Sequence, residues 1–181
     1  IMGFWLRMGV CGFRIDAAEL LVEDYGINKD ENTELEHFLD QMFDFTISRN
    51  PDALLLVEVN AGPTKMNEFI ADGTRMHMLF NFYLNQHLIL ALAKQDSSSL
   101  RKALESLPSL HHHNQWLNFL RHHDELNLKQ LNKRDQEIIF ENFAPEEEMR
   151  IYSHGIRRRL APMMEENSTL LRLAYSLLFS L

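Results

Sequence analysis

An α/β fold built around a parallel sheet, part of a (β/α)8 barrel, is what this sequence of 181 residues predicts. Three observations carry that expectation. Short, nearly continuous apolar runs recur and lead into acids: Gly12 to Asp16, Leu54 to Glu58, and Phe119 to Asp124. Strands buried on both faces read this way, and in a parallel barrel the residues that do chemistry project from the C-terminal strand ends. Helical patterns separate the runs, with no internal repeat beyond this alternation and no low-complexity linker, so residues 1–181 read as one domain. Finally, a closed barrel needs about 250 residues, so the expected barrel is partial.

The first strand covers Gly12 to Asp16. Extended backbone puts Gly12, Arg14 and Asp16 on one face and Phe13 and Ile15 on the other. A charged pair among apolar residues is costly to bury unless it is paired or used. Arg14 and Asp16 therefore read either as a structural ion pair or as part of a site. Residues 17–25 read as helix or loop, and Gly26 to Thr33 as a punctuated loop. Glu34 to Arg49 is the next helix, with Phe38, Met42, Phe45 and Ile47 near one stripe and Asn50-Pro51 as its stop. Leu54 to Val57 forms the second strand, and Gly62-Pro63 turns the chain into a short helix near Lys65 to Ile70. Met76 to Tyr83 is the third strand by position, without an acid at its end. Gln86 to Ala93 and Ser97 to Ser106 read as helices, the second capped by its serine run. Trp116 to Arg121 is the fourth strand. The polar segment Asn127 to His154 is expected to be irregular apart from a helix within Lys129 to Phe140, and Ser168 to Leu181 is the last helix.

A formal net charge of −8, with Arg157 to Arg159 as the one basic run, argues against a nucleic-acid surface, which needs clustered Lys and Arg. A neutral partner such as carbohydrate asks for no charged field. Cys11 is the single cysteine, so no intrachain disulfide is possible and the expectation leans to the cytoplasm. No apolar stretch approaches the roughly 20 residues that span a bilayer, so no membrane partner is expected. His111 to His113 resembles a metal tract, but consecutive residues rarely converge on one ion, which favours a polar loop. Phe80, Phe82, Tyr83 and Trp116 are sugar-stacking candidates that read more readily as core.

In their order and intervals, the three acid-ended segments resemble signature regions of the α-amylase superfamily, glycoside hydrolase family 13. Gly12 to Ala17 matches its second region, Leu56 to Asn60 its third and Phe119 to Asp124 its fourth. Phe119 to Leu126, Gly155 to Pro162 and the helix ending Tyr175 to Leu181 are similar in particular to the trehalose synthase subgroup. The resemblance implies an internal portion of the barrel, roughly the fourth strand to the seventh helix, expected to be inactive by itself. It also implies a retaining, double-displacement enzyme for α-glucosidic bonds. In that scheme Asp16 is the nucleophile, Glu58 the general acid/base, Asp124 the third carboxylate that holds sugar hydroxyls, and His123 a hydrogen-bond donor to the sugar at the cleavage point. Arg14 beside Asp16 favours the ionised carboxylate, whereas Glu58 needs a drier or more negative setting.

The implied partner is an α-linked glucose disaccharide or oligosaccharide. The signature residues do not distinguish isomerisation of maltose to trehalose from hydrolysis. Two positions depart from the family pattern: Cys11 where an aspartate is common, and His122 where an asparagine precedes the His-Asp pair. Leu20 stands where calcium-dependent amylases commonly carry a histidine. No cofactor or metal is therefore expected in this portion, with calcium possible in the intact parent. An amylase-like interaction scaffold without catalysis is the alternative from another class; three acids at one rim speak against it.

Overall fold

Four short strands pair in parallel and in chain order: β1 (Gly12–Ile15), β2 (Leu54–Val57), β3 (Met78–Phe80) and β4 (Gln115–Leu117). This sheet belongs to the first of two compact units in the computed structural model, which describes residues 1–21, 31–70 and 73–181. The first unit comprises residues 1–80 and 108–117, the second residues 81–107 and 118–181. In the first, α1 (Met2–Arg7) precedes β1, α2 (Glu31–Ile47) connects β1 to β2, and α3 (Pro63–Ile70) connects β2 to β3. The expected loop over Gly26 to Thr33 and the end of the preceding segment fall largely on residues 22–30, outside the described residues.

Burial alternates along β2 and its extension: Ala53, Leu55, Val57, Val59 and Ala61 are buried, while the side chains between them are not. Such alternation is the period-2 geometry of a strand with one buried face. Gly12 allows β1 and β2 to approach, because a Cβ there would collide with the carbonyl oxygen of Leu54 and lie 3.0 Å from its N and C atoms. Arg75 joins α2 to α3. Its buried guanidinium donates from Nε to Asp40 Oδ1 at 2.7 Å, from Nη2 to Asp40 Oδ2 at 3.2 Å and Glu36 Oε2 at 3.4 Å, and from Nη1 to the Glu68 carbonyl. A buried cation keeps its charge when its donors are spent on such partners.

Helix α2 buries a different stripe from the expected one. Leu35, Leu39 and Thr46 face the core, whereas Phe38 and Phe45 are exposed. The spacing of 35, 39 and 46 follows the helical repeat more closely than that of 38, 42, 45 and 47. Phe45 is used instead as a platform for the Arg49 guanidinium, 3.6 Å from the ring centroid. His111 to His113 lie exposed ahead of β4.

The second unit is helical with a small sheet. Helix α4 (Phe82–Lys94) packs against α5 (Ser98–Ser106) and α6 (Lys133–Phe143), burying Leu88, Ile89, Leu90, Leu128 and Ile139. Asn81 ends the expected third strand early, because its side chain accepts from Leu84 N–H at 3.0 Å and caps α4. The expected fourth strand also stops short, at Leu117. Beyond it the carbonyls of Phe119 and Leu120 accept from Asn85 Nδ2, at 2.7 and 3.0 Å, rather than from a neighbouring strand. At α5 the capping acceptor is Asp96, which takes the Ser98 N–H at 3.1 Å; Ser97 makes no side-chain cap bond.

Asn127 to His154 is more ordered than its polarity suggests. It holds α6, capped by Asn132, and contributes to an antiparallel sheet in which β7 (Gly155–Ile156) lies between β5 (Leu126–Asn127) and β6 (Arg150–Ile151). Two-residue strands are too short to show a period in sequence. Helices α7 (Leu160–Met163) and α8 (Ser168–Ser180) follow, the latter capped by Asn167, which accepts from Thr169 and Leu170 N–H. Among the described residues no helix is long and apolar enough to cross a membrane.

Two predictions follow from this packing. Gly12→Ala will destabilise the protein by about 1–3 kcal/mol or more in urea unfolding, since all three Leu54 atoms that the added Cβ meets are backbone. His77 is the second case: its unprotonated Nδ1 accepts from Leu55 N–H at 3.0 Å, and its pKa lies below the ordinary 6.5 through burial first and the His113 charge second. The unfolded chain takes up the proton first, so stability will fall as pH drops from about 7.5 to about 5.5. His77→Gln, titrated in parallel, will show a shallower fall.

Candidate active site

The β1–β2 register determines what meets at the strand ends. Arg14 pairs with Leu56 and Ile15 with Val57, so the next step sets Asp16 opposite Glu58 on the face away from the buried Ile15 and Val57. Two backbone bonds fix this step: Glu58 N–H donates to Ile15 O at 2.9 Å, and Ala18 N–H donates to Glu58 O at 3.0 Å. The second depends on Ala17, which turns the chain in the left-handed region at φ 40, ψ 52. An alanine held there costs roughly 1–2 kcal/mol, and such strain is commonly located beside functional groups. Strand β1 thus ends at Ile15, and Asp16 stands on the turn that follows.

Arg14 reaches both acids with the same nitrogen. Its Nη2 lies 2.7 Å from Asp16 Oδ1 and also donates to Glu58 Oε2. Spacing along β1 pairs Arg14 with Asp16 alone; the register adds Glu58, because both carboxylates lie two residues beyond the Arg14–Leu56 pair, on the same face. The side chains differ in exposure, 74% for Asp16 against 15% for Glu58. Phe80, one of the sugar-stacking candidates, completes the cluster, its ring centroid 5.8 Å from the Arg14 guanidinium carbon. The Leu56–Met78 register carries Phe80 alongside Glu58. Its signal in the sequence was an aromatic at the one strand end that lacked an acid.

The second unit holds the other two candidates. His123 Nε2 lies 3.2 Å from Asp124 Oδ2, and both side chains are exposed. Their loop is held by main-chain acceptors. Arg121 donates to the carbonyls of His122 at 3.1 Å, Arg158 at 3.1 Å, Ile156 at 3.4 Å and Asp124, while Arg159 donates to His122 O at 2.7 Å. Arg158 donates to Phe143 O at 3.0 Å and to Pro162 O, so two of the three basic-run residues serve packing. His122 sits against the edges of Phe82 and Phe119, with centroids 5.5 and 5.2 Å away. Burial first, then the Arg121 and His123 charges, hold its pKa below 6.5 against the opposing pull of Asp124 and Glu125. Arg121 and Arg159 were not readable as loop holders, because carbonyl acceptors leave no side-chain pattern in a sequence.

The structure thus brings Arg14, Asp16 and Glu58 together in the first unit, and His123 with Asp124 in the second. Among the described residues, one group of His and Asp side chains has ligand atoms close enough to share a cation: His122, His123 and Asp124.

Comparison with known proteins finds a family match over most of the chain. The family description "Alpha amylase, catalytic domain" matches residues 1–168. A trehalose synthase of Pimelobacter sp. (strain R48) is 33% identical over 189 residues, covering 99% of this chain and 33% of the relative. A Mycobacterium tuberculosis protein named trehalose synthase/amylase TreS is 31% identical over 185 residues, covering 100% of this chain and 31% of the relative. The chain therefore spans about a third of the length of these relatives. The crystal structure of sucrose 6F-phosphate phosphorylase from Thermoanaerobacter thermosaccharolyticum superimposes with a TM-score of 0.77 at 16% identity, over 98% of this chain and 37% of that one. With parallel strands in chain order and a match over residues 1–168, the chain belongs to the α-amylase catalytic-domain family and forms part of its (β/α)8 barrel.

Proposed function

We propose that this chain supplies the reacting carboxylates of a retaining enzyme acting on α-glucosidic bonds, with Asp16 as nucleophile and Glu58 as general acid/base. The observation that carries the reading is the sharing of Arg14 Nη2 by both acids. Two oxygens bound to one nitrogen stand within about 6 Å of each other. That suits the about 5–5.5 Å of a double displacement better than the about 6.5–9.5 Å of an inverting enzyme, which must admit a water between its acids.

In the first step Asp16 carboxylate attacks the anomeric carbon while Glu58 gives its proton to the departing glycosidic oxygen. The resulting glycosyl ester is opened when Glu58, now ionised, takes the proton of an incoming hydroxyl, whose oxygen displaces Asp16. Exposure divides the roles accordingly. Asp16 stands open on its turn, as a group that attacks substrate needs, whereas Glu58 is the sheltered one of the two and is assigned the proton. For Asp124 and His123, roles in holding the sugar hydroxyls rest on the resemblance of their segment alone.

The substrate we assign is maltose or a short α-linked glucose oligosaccharide, and the favoured outcome is return of the released glucose to the intermediate to give trehalose. The trehalose synthase relatives support that subgroup, and the name trehalose synthase/amylase keeps hydrolysis as the second reading. The two differ in whether glucose or water supplies the incoming hydroxyl. Maltose incubated with the protein carrying this chain and followed by NMR will yield trehalose. Asp16→Asn will lower turnover at least about 10³-fold. Glu58→Gln will spare donors whose leaving group needs no proton. Glucose alone, still dependent on Asp16, would select the hydrolytic reading; turnover unaffected by Asp16→Asn would refute both.

A further inference from the structure

We infer that Phe80 is a positioning residue for the two strand-end acids, a role that rests on the reaction proposed above: its ring holds the Arg14 guanidinium at the point where one nitrogen serves both carboxylates. The sheet register sets the ring there. Leu56 pairs with Met78 and Val57 with Leu79, so Phe80 follows at the level of Glu58. Val57 and Leu79 are buried on one face; Phe80, the next residue after Leu79 in β3, shares the other face with Arg14 and Glu58. Because the strand order is β1, β2, β3, Asp16 and Phe80 flank Glu58 from opposite sides.

A guanidinium beside a carboxylate commonly forms a fork, two parallel N–H···O bonds to one acid. Arg14 instead reaches Asp16 Oδ1, at 2.7 Å, and Glu58 Oε2 with the same Nη2. Its side chain is long, flexible and partly exposed, and Asp16 is the more open of the two acids, so a pull toward β1 alone would let Arg14 settle on Asp16. Phe80 supplies the opposing pull from β3. Its ring lies under the guanidinium, 5.8 Å from carbon to centroid, inside the about 6 Å at which a ring face attracts a cation. Near that limit, and partly screened, the attraction is worth a factor of about two to five. That suffices to bias where a flexible side chain rests, and reaction rates respond steeply to small displacements of reacting groups. Without the ring Glu58 loses its tether to Arg14, and the acids no longer hold the spacing that a double displacement needs. Stacking of the same ring on a sugar would act on binding instead, so the two roles separate in the kinetics.

The test replaces Phe80 with phenylalanine carrying one, two or three ring fluorines, in the protein carrying this chain, because fluorine withdraws negative potential from the ring face and nearly preserves its shape. With maltose, kcat will fall stepwise, by about two- to fivefold in total, at unchanged KM; a packing role alone would not follow the electron density of the ring. A double-mutant cycle of Phe80→Leu and Arg14→Met in urea unfolding reads the contact without the reaction, and the unfolding constants will be coupled by a similar factor. Circular dichroism confirms that each variant is folded. A kcat indifferent to fluorination, a change confined to KM, or uncoupled unfolding constants would overturn the role. Turnover indifferent to Asp16→Asn would overturn it together with the reaction it rests on, and the unfolding cycle distinguishes that failure from an absent contact.

Discussion

The candidate site depends on the register between β1 and β2. Sliding one strand by a single residue would move Arg14 and Asp16 to the opposite face, since side chains alternate with period 2. Three features resist that slip. Gly12 lets the backbones approach at the start of the pair; Ile15 and Val57 bury on the shared inner face; and Ala18 N–H to Glu58 O closes the far end. Local backbone geometry and core burial therefore enforce the same alignment.

That alignment places one guanidinium between two carboxylates, which is electrostatically economical. Two anions at neighbouring strand ends repel, and one resident cation relieves both without adding net positive charge. Arg14 is about a third exposed, so the attraction is screened and contributes little to stability. Its effect falls on position. A substrate that excludes water from this face would strengthen each of these interactions, because they gain most where the dielectric is low. In the second unit the cations act differently: Arg121 and Arg159 are spent on carbonyls, holding the loop of His123 and Asp124 by its backbone.

Much of this was legible in the sequence where residues repeat with the period of an element. Leu54 to Val57 matches β2, and Asp16 and Glu58 stand at the strand ends where apolar runs give way to acid. What escaped the reading had other causes. Helix α2 carries more aromatics than its buried face can take, so Phe38 and Phe45 were assigned to a stripe that Leu35, Leu39 and Thr46 occupy. The β5–β7–β6 sheet is built from two-residue strands. Strand β4 ends early because Asn85 satisfies the carbonyls of Phe119 and Leu120, a long-range partnership that spacing does not encode. The double use of Arg14 required the register, which follows from which strands pair.

The central claim is that Asp16 becomes covalently joined to the sugar while Glu58 handles the proton. The most direct measurement is to trap that ester with a fluorine-deactivated glucosyl fluoride on the protein carrying this chain, then map the modified peptide by mass spectrometry. A single glucosyl adduct on Asp16, absent from Asp16→Asn, is the result this account predicts. An adduct on Glu58 or elsewhere, or inversion at the anomeric carbon with no adduct, would contradict it.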